Sequence, residues 1–181
     1  LNLLYDLLCL VLPWDQVDES ICAKPLEWSG KTLGRFMRFF GPISSVFDII
    51  TFAYLFCVLC PAVCGGTFTS LSGSGEQARF IILFQTGWFL ESMWTQVMIL
   101  HLLRTQKVPL LQSRPSRPVM VVTLLGTAVF TLLTFTPMGE WIGLTALPPV
   151  YFVFLAVTVF FYLLWVTLAK RWYIRRYHEL L

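Results

Sequence analysis

Asn2 and Asp6 stand four residues apart in LNLLYDLLCLVLPWDQVDES, a run that is otherwise apolar up to Trp14. On a helix, positions i and i+4 project from one face. An amide carbonyl and a carboxylate placed side by side offer hard oxygen donors, which suit Mg²⁺ or Ca²⁺ rather than soft metals. Two further acids sit in strongly apolar surroundings. Asp48 lies in FFGPISSVFDIITF, and Glu91 lies in FQTGWFLESMWTQVMILHLLRT with Thr95 on the same face four residues on. A charge in hydrocarbon is costly, so each of these acids is a candidate ion ligand, Asp48 and Glu91 less directly than the Asn2–Asp6 pair. The alternative role for any one of them is an internal partner for a hydroxyl or amide that fixes helix packing.

Other motifs carry less. Cys57, Cys60 and Cys64 crowd CVLCPAVC, but no second pair of ligands stands nearby in sequence, so they read as filler at a helix end rather than a metal or redox site. His101 and Arg104, in HLLR, are expected to anchor or snorkel at a membrane interface. Trp88, Trp94, Trp141, Trp165 and Trp172 include several near the ends of apolar runs, as an aromatic belt requires. Neither a glycine-rich phosphate loop, nor HExxH, nor a nucleophile elbow occurs.

The elements that must position these residues follow from composition. The chain has 181 residues, 57% hydrophobic and 13% charged, with a mean hydropathy of +0.73. Soluble domains carry about a quarter charged residues, so the solvent implied here is a bilayer. Phe39–Cys60, Phe80–Leu103, Pro118–Phe135 and Pro149–Ala169 are long enough for helices that cross roughly 30 Å of hydrocarbon. Leu1–Trp14 covers only about 21 Å at 1.5 Å per residue and reads as the second half of a helix. The fold class expected is an all-α integral membrane bundle of about five helices.

Charge sets the expected topology. Lys24, Lys31, Arg35 and Arg38 follow the first run; Arg104, Lys107, Arg114 and Arg117 follow the third; Lys170, Arg171, Arg175 and Arg176 follow the last. These fall on alternate loops, with Arg79 alone opposite, so the basic side and the chain's end are expected in the cytoplasm. Topology accounts for the basic residues without a nucleic-acid partner. Gly41-Pro42 is expected to distort its helix. TFTSLSGSGEQAR reads as a flexible external loop, PMGEWIGLTALP as a tight external turn, and VPLLQSRPSRP as a short cytoplasmic connection.

NLLYD, a short apolar run and PWDQVD together resemble the sixth membrane helix of P-type cation ATPases. KPLEW, LGRFMRFFGPISSVFDIITF, FQTGWFLESMWTQVMILHLLRTQKVPLLQS and ALPPVYF are similar, in order, to the bacterial magnesium-transporting P-type ATPases. That resemblance implies helices six to ten of a ten-helix membrane domain, in a bacterial inner membrane. It implies Asn2 and Asp6 as ion ligands, with Tyr5 where calcium pumps carry threonine, and Mg²⁺ as the transported ion. It also implies partners absent from these residues: surrounding lipid, upstream helices of the same pump, and cytoplasmic domains that bind ATP with Mg²⁺ and carry a phosphorylated aspartate in DKTG. DKTG does not occur here, so this segment alone is expected to be inactive. The alternatives are a pump for another cation, Ca²⁺ or H⁺, and a self-standing integral membrane scaffold.

Overall fold

The computed structural model describes residues 2–15, 30–105 and 115–177, with the backbone alone for Asn2, Leu3, Leu4 and Leu8. Cys22, most of the VPLLQSRPSRP connection and the last four residues lie outside the described residues. Among the described residues the regular structure is helical. Helix α1 is Asn2–Cys9, followed by a 3₁₀ turn at Leu12–Trp14. Helix α2, Gly30–Tyr54, runs through a π turn at Leu55–Leu59 into α3, Cys60–Cys64. Then come α4, Ser74–Leu103; α5, Arg117–Leu133; the short α6, Pro137–Trp141; and α7, Pro149–Tyr177.

Local chemistry sets several of these ends. Pro118, Pro137 and Pro149 sit in first turns, where the missing N–H has no intrahelical partner to lose. Thr136 caps α6 by accepting the Gly139 amide at 3.3 Å. Gly65, at φ +79°, stops the α2–α3 run in the left-handed region that side chains avoid.

Two details differ from the sequence reading. Pro42 sits inside α2 without ending it; the irregularity lies later, at the π turn. The Gly/Ser-rich loop is also shorter than expected, because Ser74–Arg79 already form the first turns of α4, and Gln77 donates to the Leu71 carbonyl at 2.8 Å.

Side-chain contacts fix the packing. Phe52 meets Phe84 and Trp88, and Phe56 meets Phe80, so α2 and α4 run antiparallel. Tyr54 stacks on Phe154, Phe47 meets Tyr162 and Phe39 stacks on Trp172, which makes α7 antiparallel to α2. Consequently α4 and α7 are parallel, and α4 lies between α7 and α5. One apolar cluster, around Leu55, Phe80, Leu90 and Tyr151, fills one end of the bundle. A second, around Phe40, Leu102, Tyr162 and Tyr173, fills the middle and the other end.

Burial is inverted relative to a water-soluble domain. Val153, Val157, Phe160, Leu164 and Leu168 of α7 are exposed, whereas Thr51, Thr86, Glu91, His101, Thr123, Thr127 and Lys170 are buried. A bilayer explains this: lipid tails solvate the apolar faces, and polar groups must find partners inside. The threonines on the inner face of α5 do so locally. Thr123, Thr127 and Thr131 each donate to the carbonyl four residues back at 2.7 Å.

Among the described residues, two helical runs, Gly30–Cys64 and Pro149–Tyr177, are both long and apolar enough to cross a membrane. Helix α4 has the length, but Gln85, Glu91 and Gln96 lower its hydropathy. Helix α5 is apolar but has 17 residues, about 25 Å of rise.

The π turn and one glycine set the closest helix approach. A Cβ on Gly87 would stand 2.6 Å from Leu55 Cδ2, and Leu55 is itself fully buried. Small residues let membrane helices approach in this way. Gly87→Leu should therefore cost about 1–3 kcal/mol through overpacking. The check is a lower midpoint in thermal unfolding of the detergent-solubilised full-length protein. Gly75→Ala, with nothing within 4 Å of its added carbon, should stay within about 0.5 kcal/mol of wild type.

Candidate functional site

Asp48 and Glu91 come together across the α2–α4 interface. The Asp48 carboxylate is half-buried and faces the indole of Trp88 and the hydroxyl of Ser92, and the two carboxylates are close enough for their charges to interact. Glu91 is 1% exposed, and its Oε2 has no hydrogen-bond partner among the described residues. Thr51 Oγ1, on α2, is likewise buried without one.

Tyrosines from α7 border the pair. Tyr162 shares a hydrogen bond of 3.1 Å with Ser44, and the Tyr151 hydroxyl donates to the Gly87 carbonyl. Both phenols lie within electrostatic reach of Glu91. The arrangement is a cluster of oxygen-bearing side chains between α2, α4 and α7 inside an otherwise apolar bundle.

The Thr95 hydroxyl does not serve Glu91's carboxylate. It donates instead to the backbone carbonyls of Glu91 and Ser92, at 3.0 and 3.1 Å.

Asp6 stands apart from this pair. It is exposed on α1, with Tyr5 and Cys9 of the same helix as its electrostatic neighbours. Asn2 opens α1, one turn before Asp6, and its side chain lies outside the described residues. Helical spacing puts both positions on one face of α1.

The cysteines Cys9, Cys57, Cys60 and Cys64 are free thiols. Among the described residues no three His, Cys, Asp or Glu side chains are grouped to hold a metal.

His101 and Arg104, read as interface anchors, are internal instead, and so is Lys170, counted among the cytoplasmic-side charges. His101 is buried, and its Nε2 lies 3.0 Å from Thr123 Oγ1. Thr123 already donates to Val119, so the imidazole Nε2–H is the donor in that bond. Arg104 pairs with Asp15 at 2.5 Å, with side chains 6% and 9% exposed. Lys170, 2% exposed, donates to the Leu102 carbonyl at 2.6 Å. None of them snorkels, because each finds a partner inside the bundle. Positions as far apart as 15 and 104 or 102 and 170 give no signal in the sequence that they meet. Trp94, in the middle of its apolar run, donates its indole N–H to Thr131 at 3.2 Å.

A helical bundle that turns apolar faces outward and keeps its polar groups between helices has the character of an integral membrane protein. The chain belongs to the family described as "Cation transporting ATPase, C-terminus", whose description matches residues 1–172. It is 40% identical over 178 residues to the "Magnesium-transporting ATPase, P-type 1" of Salmonella typhimurium strain LT2, covering 98% of this chain and 18% of that protein. It is 38% identical over 176 residues to the protein of the same name from Escherichia coli K12, covering 97% of this chain and 18% of the relative. The chain thus spans under a fifth of the length of these relatives.

Two substitutions test the buried cluster. Glu91→Gln should keep or raise the thermal unfolding midpoint of the solubilised protein, since it removes an ionisable group from a site with no partner for Oε2. A midpoint several degrees lower would mean the carboxylate is held by a structural bond. Tyr151→Phe should destabilise the protein by about 1 kcal/mol through loss of the bond to Gly87, read as a lower midpoint.

Proposed function

We propose that this chain is the C-terminal membrane portion of an ATP-driven Mg²⁺ importer, supplying part of its ion site and the helices that brace it. The observation that carries this reading is the identity to magnesium-transporting P-type ATPases, 40% along 98% of the chain. In this reading all five apolar segments cross the inner membrane, as helices six to ten, and the chain ends in the cytoplasm. ATP and its Mg²⁺ bind cytoplasmic domains upstream. Without them the 181 residues do not turn over.

Asn2 and Asp6 supply donors to the transported ion. Mg²⁺ demands octahedral oxygen coordination and gives up water reluctantly, so one amide and one carboxylate with retained waters suit it. The exposure of Asp6 supports this assignment, since the described helices leave that face of α1 open to upstream helices that would complete the site. Asp48 and Glu91, apart from Asp6 at the α2–α4 interface, are weaker candidates as ligands or as a proton store. Cation transport by such a pump consists of tilting α1 and its upstream partners against the braced α2–α7 unit, exposing the site to each side in turn.

The test is Asp6→Asn in the full-length protein, expressed in cells that depend on it for Mg²⁺. Uptake should fall at least tenfold, the scale of losing one charge-assisted contact worth ~1.4 kcal/mol or more, at unchanged membrane abundance. Near-normal uptake would remove Asp6 from the site. Uptake of Ca²⁺ or H⁺ in place of Mg²⁺ by the wild type would reassign the cargo.

A further inference from the structure

Three polar links converge on the C-terminal end of α4. Asp15, just beyond the 3₁₀ turn that follows α1, accepts from Arg104 Nη1 at 2.5 Å and from the Ser116 backbone amide at 2.8 Å. Ser116 is the residue before α5. One carboxylate therefore ties the end of α1 to the end of α4 and the start of α5. One turn back along α4, His101 bonds Thr123 of α5. On the adjoining side, Lys170 of α7 donates to the Leu102 carbonyl, placing a positive charge where the helix dipole presents negative. The α4 end is thus held by α5 and α7, and Asp15 fastens α1 to that fixed point.

The other packing of α1 in this region is apolar. Tyr5, Cys9, Val11 and Leu12 lie against Leu100 and Val119. Apolar contacts are non-directional and leave rotation and sliding of a short helix weakly determined. An arginine–carboxylate pair with a second hydrogen bond to a backbone amide is directional and fixes both.

We propose that Asp15 and Arg104 form a positioning latch, which sets the rotation and depth of the helix carrying Asn2 and Asp6 and thereby the pump's affinity for its cation. Neither residue touches the ion. The inference rests on the reading of α1 as the ion helix, but the geometry of the latch does not. Removing either side chain breaks this directional link and loosens the hold on α1. Arg104→Lys keeps the charge but loses the planar fork, so it should weaken the latch without abolishing it.

The experiment uses the full-length protein with two readouts. The first is Mg²⁺ uptake as a function of external Mg²⁺ in cells that depend on this pump. Arg104→Ala should raise the half-saturating Mg²⁺ concentration roughly fivefold or more, Arg104→Lys by less, with membrane abundance near that of wild type. The second is independent of the cargo: the rate at which a membrane-permeant maleimide labels Cys9 in a variant keeping that cysteine alone. A released α1 should change this rate severalfold in Arg104→Ala and in Asp15→Asn. Half-saturation and labelling both equal to wild type would overturn the latch. If Arg104→Ala does not reach the membrane, the same two measurements on Arg104→Lys decide, and values equal to wild type overturn it. A wild-type protein that does not import Mg²⁺ would refute the function proposed above, while the labelling comparison would still confirm or overturn the latch.

Discussion

Hydrocarbon offers no hydrogen bonds, so every polar side chain that enters the bundle must find its partner on a helix. That constraint falls most heavily on α4, which buries Thr86, Glu91, Ser92, Thr95 and His101 along its length. The partners come from all sides: Asp48 from α2, the phenols of α7, and the threonine face of α5. Placing α4 between its neighbours lets most of these groups meet a partner while apolar faces turn to lipid, and leaves Glu91 Oε2 and Thr51 Oγ1 buried without one among the described residues. The π turn at Leu55–Leu59 and the bare backbone at Gly87 belong to the same solution, since they allow α2 and α4 to approach closely beside Glu91.

The two ends of the bundle are built differently. At the end formed by Cys60, Leu71, Phe80, Leu147 and Tyr151, packing is apolar and aromatic. At the opposite end, where α4 finishes and α5 begins, charge and amide bonds take over through Asp15, Arg104, Ser116 and Lys170. Between these ends lie the Asp48–Glu91 pair and its tyrosine border. A pump that moves an ion by tilting helices needs a stationary frame and a movable element. In the pumping cycle proposed above, α1 would be the movable element, held by an apolar seam and by the Asp15 node, with α2, α4, α5 and α7 as the frame.

Basic residues have two uses in this chain. Arg171, Arg175 and Trp172 stay exposed or partly exposed near the end of α7, where they suit a membrane surface. Lys170, one position earlier, turns inward and neutralises a helix terminus. Counting charges per loop treats these alike, although Lys170 is not available to lipid headgroups as Arg171 and Arg175 are.

The sequence by itself determined the solvent and the element type. A composition of 57% hydrophobic and 13% charged residues, in runs near 20 residues long, admits helices in a bilayer and little else. It also marked Asp6, Asp48 and Glu91, because an acid in an apolar run stands out whatever surrounds it. Local signals located several helix ends, through Pro118, Pro137 and Pro149. Only the tertiary structure decided which of those residues meet. Asp48 and Glu91 are 43 positions apart, and Asp15 and Arg104 are 89 apart. Helical periodicity reports a residue's own face and nothing about the helix opposite. For the same reason the sequence assigned His101 and Arg104 to the interface: a polar residue near a helix end looks identical whether it reaches water or a partner, and the choice is made by what packs against it.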